Sequence, residues 1–242
     1  ASTEQAVQIT LTGENEAPVL SAGAASVDLR TGTATAAGTL IAQDRDVIDT
    51  ASVALGGVSV DGASTFTGTN PLSDPDLEAM ITLPAGSVIA SGEDAGDVNW
   101  QWAADSDEFA FLADGETLIL DYTVELTDQR AATTTNDITI TITGSNAAPV
   151  LTANSATTLA LTEGAGLTGE GTFRVSDPNL SDQVSARVAS VAVGGAAGAV
   201  GLGNAAYLQM LSLSSSTPVA DGQAEGDLTW RFDSNGETFA AL

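Results

Sequence analysis

Residues 7–20 read VQITLTGENEAPVL and residues 138–151 read ITITITGSNAAPVL, so this 242-residue chain uses one segment twice. Gly13 and Gly144, like Pro18 and Pro149, stand 131 positions apart. GTLIAQDRDVIDTASVAL from Gly38 returns as GTFRVSDPNLSDQVSARV from Gly171, a spacing of 133. GDVNWQW from Gly96 returns as GDLTWRF from Gly226, and EFAFL from Glu108 as TFAAL from Thr238, both at 130. Four anchors in one order, with a drift that a small loop insertion explains, mean a tandem array. Whatever the fold, a unit of about 131 residues must form it and repeat it.

The same spacings divide the chain. Residues 1–13 match the closing strand of a preceding unit, 14–144 make one whole unit, and 145–242 make a second that lacks its last strands. Leu242 aligns with Leu112, so the counterpart of ADGETLILDYTVELTDQ is missing. The opening ASTEQAVQIT has no basic stretch leading into an apolar one, and the chain reads as an excerpt of a longer array. A sandwich short of its closing strands has an unpaired edge and an uncovered core. Two completions are open: strands that follow residue 242, or residues 1–13 of another copy added as a strand. In the second case alternation turns Val7, Ile9 and Leu11 to one side, while the GETLILDYTVELTD strand stays unsupplied.

Within a unit the apolar period is two. Leu120, Tyr122, Val124 and Leu126 share one face, and Ile138 to Thr143 alternates Ile with Thr throughout. This marks antiparallel strands with one dry and one wet side. Turn signals at Asp61-Gly62, Asp114-Gly115, Gly144-Ser145-Asn146 and Asp221-Gly222 punctuate them at the spacing of an all-β sandwich. Only Asp74-Pro75-Asp76-Leu77-Glu78-Ala79-Met80 fits a helical turn, with a Pro-led loop as the alternative.

Composition narrows the chemistry. The chain has 32 Asp and Glu against 6 basic residues, all Arg, for a net charge of −26, and it has no His, Cys or Lys. That excludes Cys–His nucleophiles, imidazole or thiolate metal sites, Schiff-base lysines, phosphate-loop lysines and disulfides. The charge repels nucleic acid and anionic lipid and attracts divalent cations. No run of 18 apolar residues offers a membrane span. Paired carboxylates for glycoside hydrolysis can be picked from so many acids, yet none is set apart from its neighbours, so an enzyme is not expected.

Calcium takes six to eight oxygen ligands, and a loop of clustered carboxylates can offer several. Asp44, Asp46 and Asp49 form such a cluster, and Asp177, Asn179 and Asp182 repeat it 133 residues on. The alternative is a solvated loop of an acidic protein. Asp74, Asp76 and Glu78 make another acidic loop, without the ligand order or the Gly of an EF-hand. Trp100 and Trp102 point to one strand face and recur as Trp230 and Phe232, which reads as sandwich core, with a sugar-binding platform as the alternative.

The stretches GDVNWQWAADSDEFAFLADGETLILDYTVELTD, TTNDITITITGSNAAPVL and LTEGAGLTGEGTFRVSDPNLSD (161–182) resemble the VCBS-type cadherin-like repeats of large bacterial surface proteins and adhesins. The resemblance implies immunoglobulin- or cadherin-like β-sandwiches in tandem, export, and calcium at the junctions between units. It places Glu163 at the family's opening Glu and Asp128 at its strand-closing Asp. Glu163, Asp177 and Asn179 would then share an ion with the preceding unit through Asp128. Where the family's linker reads Gly-Thr-Asn-Asp-Ala-Pro, this chain has Asn15-Glu16-Ala17-Pro18 and Asn146-Ala147-Ala148-Pro149.

Two functions follow. One is a calcium-stiffened spacer, filament or adhesin stalk of an extracellular bacterial protein, whose partners are neighbouring repeats or identical chains. The other is an adhesin module that binds a cell-surface glycan or protein through loops 61–76 and 194–207, where the units differ most.

Overall fold

The structure, a computed structural model, describes residues 4–28, 32–155, 157–194 and 201–240. Its strands are β1 (Val19–Leu20), β2 (Gly23–Asp28), β3 (Thr33–Gln43), β4 (Ala51–Val60), β5 (Ile81–Thr82), β6 (Ser87–Ile89), β7 (Ala95–Asp105), β8 (Thr117–Asp128) and β9 (Thr133–Thr143). β10 (Val150–Ala153), β11 (Thr168–Ser176), β12 (Leu211–Leu213) and β13 (Glu225–Asp233) follow. Two short helices, α1 (Asp74–Glu78) and α2 (Asn204–Gln209), precede β5 and β12.

The first nine strands form two sheets, ordered β1-β3-β7-β5 and β2-β9-β8-β4-β6. The chain's first extended segment is divided between them: β1 pairs antiparallel with β3, and β2 pairs parallel with β9, from Gly23–Ile138 to Asp28–Thr143. This is the strand order of an immunoglobulin-like sandwich. The all-β expectation holds, and the alternation read from the sequence is the packing that is found. Leu118, Leu120, Tyr122, Val124 and Leu126 of β8 and Ile138, Ile140 and Ile142 of β9 are at most 1% exposed and face Leu40, Val98, Trp100 and Trp102 of the other sheet. On the wet side Thr123 Oγ1 donates to Asp137 and Thr139 Oγ1 to Asp121, tying β8 to β9.

Trp100 and Trp102 are 2% and 1% exposed, so they are core and not a sugar platform. Trp100 lies flat against β3 because Gly38 faces it: a Cβ on Gly38 would stand 2.6 Å from the indole. Trp230 meets Gly171 in the same way, again at 2.6 Å. The expected helical turn is α1. Ser73 donates to Asp76 Oδ2 from both its backbone N–H and its hydroxyl, at 3.0 and 2.5 Å, which holds the Asp76 carboxyl below its ordinary pKa. That carboxylate therefore closes a helix end.

The C-terminal sheet runs β10-β11-β13-β12, the order of β1-β3-β7-β5. Its register matches too: Gly38–Trp100 recurs as Gly171–Trp230, and Ile81–Trp102 as Leu211–Phe232. Among the described residues no second sheet covers it. Residues 184–193, which align with β4, form no strand. β4 is held by β8 along nearly its whole length, and β8 has no counterpart here. Val184 and Ala186 cover part of the inner face. Two cavities of about 590 and 600 Å³ stay open over the rest, both reaching Leu211 and Trp230.

Residues 4–18 belong to no strand, and Val7, Ile9 and Leu11 are 85%, 79% and 91% exposed. Among the described residues no helix is long and apolar enough to cross a membrane.

Candidate functional site

Where β3 ends, the chain makes a tight loop whose carboxylates bind backbone. Asp46 N–H donates to Asp44 Oδ1 at 2.9 Å, and Asp49 N–H to the Asp46 carbonyl at 2.8 Å. The loop is pinned beneath by Asp44 N–H on the Asp94 carbonyl and Gly92 N–H on that of Val47. Its outer side receives the preceding linker, with Glu16 N–H donating to Asp46 Oδ2 at 2.8 Å.

The same set of bonds follows β11. Asn179 N–H donates to Asp177 Oδ1 at 3.1 Å, Asp182 N–H to the Asn179 carbonyl, Asp177 N–H to that of Ala224, and Gly222 N–H to that of Leu180. The linker arrives in the same way, Ala147 N–H donating to Asn179 Oδ1 at 2.7 Å. The Asn179 amide does more than Asp46 can. Its Nδ2 points to the carbonyls of Ala110, Leu112 and Ser145 at 2.9, 2.7 and 3.2 Å, and Leu180 N–H donates to Phe111. Asn179 is 1% exposed. A buried amide with every hydrogen-bonding group matched fixes a geometry, since shifting it would strand several polar atoms at once.

Of the residues expected to bind metal, Asp44, Asp46, Asp49 and Asp128 gather at the linker end of the first sandwich. Asp128 Oδ2 accepts from Asn15 Nδ2, and its Oδ1 accepts from the N–H groups of Arg130 and Ala132, all at 2.8 Å. Burial would raise the Asp128 pKa, but these bonds and the Arg130 charge outweigh it and hold the carboxyl below its ordinary value. Arg130 also reaches Asp49, with Nε 3.0 Å from Oδ2 but aligned for a hydrogen bond only to Oδ1, at 3.4 Å.

Asp177, Asn179 and Asp182 sit at the other end of that sandwich. Asp128 ends β8, whose other end at Thr117 lies eleven residues back towards this second loop, roughly 36 Å at about 3.3 Å per residue. Asp128 therefore does not meet Asp177. Glu163 is apart again: Gly164 N–H binds the Thr238 carbonyl beyond the far end of β11. The resemblance aligned these residues by order along the chain, and strand direction carries them to opposite ends.

The sequence reading missed Asn15, Arg130, Asp114 and Glu116. Burial pushes the Asp182 carboxyl up, and the negative charges of Asp177, Glu116 and Asp114 add to the shift. Carboxylates from the turn before β8 and from the loop after β11 thus gather around Asp182. Asp114-Gly115 is legible as a turn, but its approach to Asp182 depends on packing between segments far apart in the chain.

Among the described residues no three acidic side chains stand close enough together to hold a metal ion. Their oxygens serve backbone amides, Asn15 and Arg130 instead. Asp44 and Asp49, each 4% exposed, do keep Oδ2 atoms buried without a hydrogen bond. That is oxygen chemistry that a hard cation could use after a small rearrangement of the loop.

No known protein family matches the chain, and no curated protein matches it in sequence. Among solved structures it is similar to a chain of the chaperone–tip adhesin complex of CFA/I fimbriae, with a TM-score of 0.42 and 10% identity over 92% of both chains. Extracellular cadherin domains 1–4 of protocadherin gamma B7 give 0.35 and 14% over 90% of this chain and 41% of that one. AggA, the major subunit of aggregative adherence fimbriae type I from Escherichia coli, gives 0.27 and 13% over 57% and 99%. Scores this low inform neither mechanism nor partner.

Proposed function

We propose that the chain is a structural repeat segment of a large extracellular bacterial protein, a spacer or adhesin stalk in which successive sandwiches are seated on one another by one recurring contact. The observation that carries this reading is the linker bond: Glu16 N–H on Asp46 Oδ2 and, one unit later, Ala147 N–H on Asn179 Oδ1. A contact repeated at the repeat spacing adds length without new folds, and a net charge of −26 keeps such an array soluble. The division into residues 1–13, 14–144 and 145–242 belongs to the same reading. Nothing in it calls for catalysis.

Calcium is the proposed stiffening ion. Asp44, Asp46, Asp49 and Asp128 would offer oxygens at the first junction, and Asp177, Asn179 and Asp182 at the second; the Asp44 Oδ2, buried without a hydrogen bond, supports the first, while the Asp49 Oδ2 lies 3.0 Å from Arg130 Nε. Glu163 lies too far away to share either site. The ion would supply positive charge and coordination and no reaction. Small-angle scattering with and without calcium tests both parts. A stiff, extended particle is expected, lengthened or stabilised by calcium beyond what matched monovalent salt does; a flexibly jointed particle would overturn the spacer reading. The adhesin-module alternative rests on loops 61–76 and 194–207, and residues 195–200 of the second lie outside the described residues; the buried Trp100 and Trp102 bear only on the separate sugar-platform reading.

A further inference from the structure

We propose that Arg130 is a tethered rival of the calcium ion at the Asp44–Asp49 loop: its guanidinium neutralises Asp49 when no ion is bound and has to leave that carboxylate when one is. This one side chain then sets the calcium level at which the loop responds. The proposal rests on the calcium reading above and adds how that site is regulated.

Strand register puts Arg130 at the loop. Asp128 pairs with Ala51 at the end of the ladder between β4 and β8. Two residues further along each antiparallel strand, position 130 falls opposite position 49, and the contact is found there, with Nε 3.0 Å from Asp49 Oδ2. The turn that carries the arginine is fixed from within. Asp128 Oδ1 accepts from the N–H groups of Arg130 and Ala132 at 2.8 Å, and Ala131 N–H donates to the Asp128 carbonyl at 3.2 Å. Ala131 has a φ of 67°, a left-handed conformation uncommon in a residue with a Cβ, and these bonds hold it.

The carboxylates suit an ion better than they suit the arginine. Asp44 is 4% exposed; its Oδ1 accepts from Asp46 N–H, but its Oδ2 is buried without a hydrogen bond. Asp49 Oδ2 has the Arg130 charge beside it and no aligned hydrogen bond. Buried anionic oxygens are costly unless positive charge stands near them. Arg130 supplies one such charge and pairs with Asp49, whereas a divalent ion supplies two and could engage Asp44 as well. Ion and guanidinium cannot share Asp49, since they repel each other and need the same oxygens. The arginine is the partner that moves: its side chain is 53% exposed, against 5% for Asp49, so it can turn to solvent with little packing lost.

Calcium titration of the full chain, followed by NMR at the arginine Nε–Hε groups and at the Asp46 and Asp49 amides, tests this in the parent and in Arg130→Gln. In the parent the Arg130 Nε–Hε signal should shift together with the two amides, and matched sodium chloride should leave it in place. In Arg130→Gln the amides should titrate at about tenfold lower calcium, because one unit charge a few ångströms from the ion has been removed. Without calcium the variant should melt at a lower temperature than the parent, and saturating calcium should close the gap. Arg130→Lys keeps the charge without the planar group and should fall between the two. Equal midpoints in parent and Arg130→Gln, or an Nε–Hε signal that stays put while the loop amides shift, would overturn the proposal and leave the calcium reading standing. Loop amides that ignore calcium in both proteins would overturn the two together, so the failures are distinguishable.

Discussion

Trp102 and Tyr122 meet inside the first sandwich, one from each sheet, with the indole Nε1–H donating to the phenol oxygen at 2.9 Å and the hydroxyl donating onward to the Leu77 carbonyl at 3.0 Å. The chain of bonds ties both sheets to α1. Burial pushes the Tyr122 hydroxyl up to about 12 against the opposing effect of the Trp102 bond, so it stays protonated at any ordinary pH.

Tyr122→Phe keeps the ring and removes the link, stranding a buried indole N–H and a carbonyl. A loss of about 2–4 kcal/mol is expected, since each unsatisfied buried group costs about 1–3 kcal/mol. Denaturant unfolding followed by Trp fluorescence measures it, and an unchanged midpoint would show that water or a rearranged neighbour replaces the bond.

Asn179→Ala should loosen the second junction and leave each sandwich folded. It removes the acceptor for Ala147 N–H and the donor for three carbonyls. Amide exchange at Ala147 and Leu180 should accelerate while that of β8 stays slow. Asn179→Asp should be worse than Ala, because a carboxylate then faces three carbonyl oxygens; this holds in the absence of calcium, and added calcium should narrow the difference if the junction binds it.

Asp182→Asn should stabilise the protein at neutral pH. The folded-state pKa of Asp182 is raised by burial and by its acidic neighbours. Below the unfolded value of 3.8 the carboxyl is neutral in both states and costs nothing; as pH rises through the folded value, ionisation in the folded protein erodes stability. The melting temperature of the variant should therefore exceed that of the parent at pH 7 and converge with it below about pH 3.8. A gap that persists in acid would trace the effect to packing instead.

Asp128→Ala should do the reverse. Burial opposes its ionisation, but the bonds from Asn15, Ala132 and Arg130 and the Arg130 charge lower the folded pKa, so its contribution is present above the unfolded value and is lost as pH falls through the folded one. The variant should be less stable at pH 7, with the difference shrinking on acidification.

Gly38→Ala tests the close packing of Trp100 on β3. The added Cβ would stand 2.6 Å from the ring, whereas one on Gly13 would meet nothing within 4 Å. A loss of about 1–3 kcal/mol is expected at Gly38, the usual cost of overpacking a core, and almost none at Gly13.

Much of this fold could be read from residue spacing. Alternation in Leu118–Leu126 and Ile138–Ile142 assigns the inward side chains of β8 and β9, because a strand's period of two is local. The Gly38–Trp100 pairing shows in the repeat because both partners recur as Gly171 and Trp230. Position along the chain said less about which end of a sandwich a residue occupies. Asp128 and Asp177 stand at opposite ends of β8, and Arg130 reaches Asp49 across 81 positions. Those meetings are set by strand direction and hairpin length, which no local pattern encodes. The two acidic loops were legible as equivalents, but the use of their oxygens by backbone amides was not, since it depends on turns only three to six residues long.

The parallel pairing of β2 with β9 decides how a stalk of such units would bear load. Both strands lie next to the linkers by which a unit is pulled, and they run side by side in the same direction. Tension on the two ends slides one strand along the other, so the six residue pairs from Gly23–Ile138 to Asp28–Thr143 are stressed together and not one after another. A hairpin pulled open from its end yields like a zipper; in such a stalk this arrangement would yield as a sheared patch, and each unit would act as a mechanical clamp in series with its neighbours.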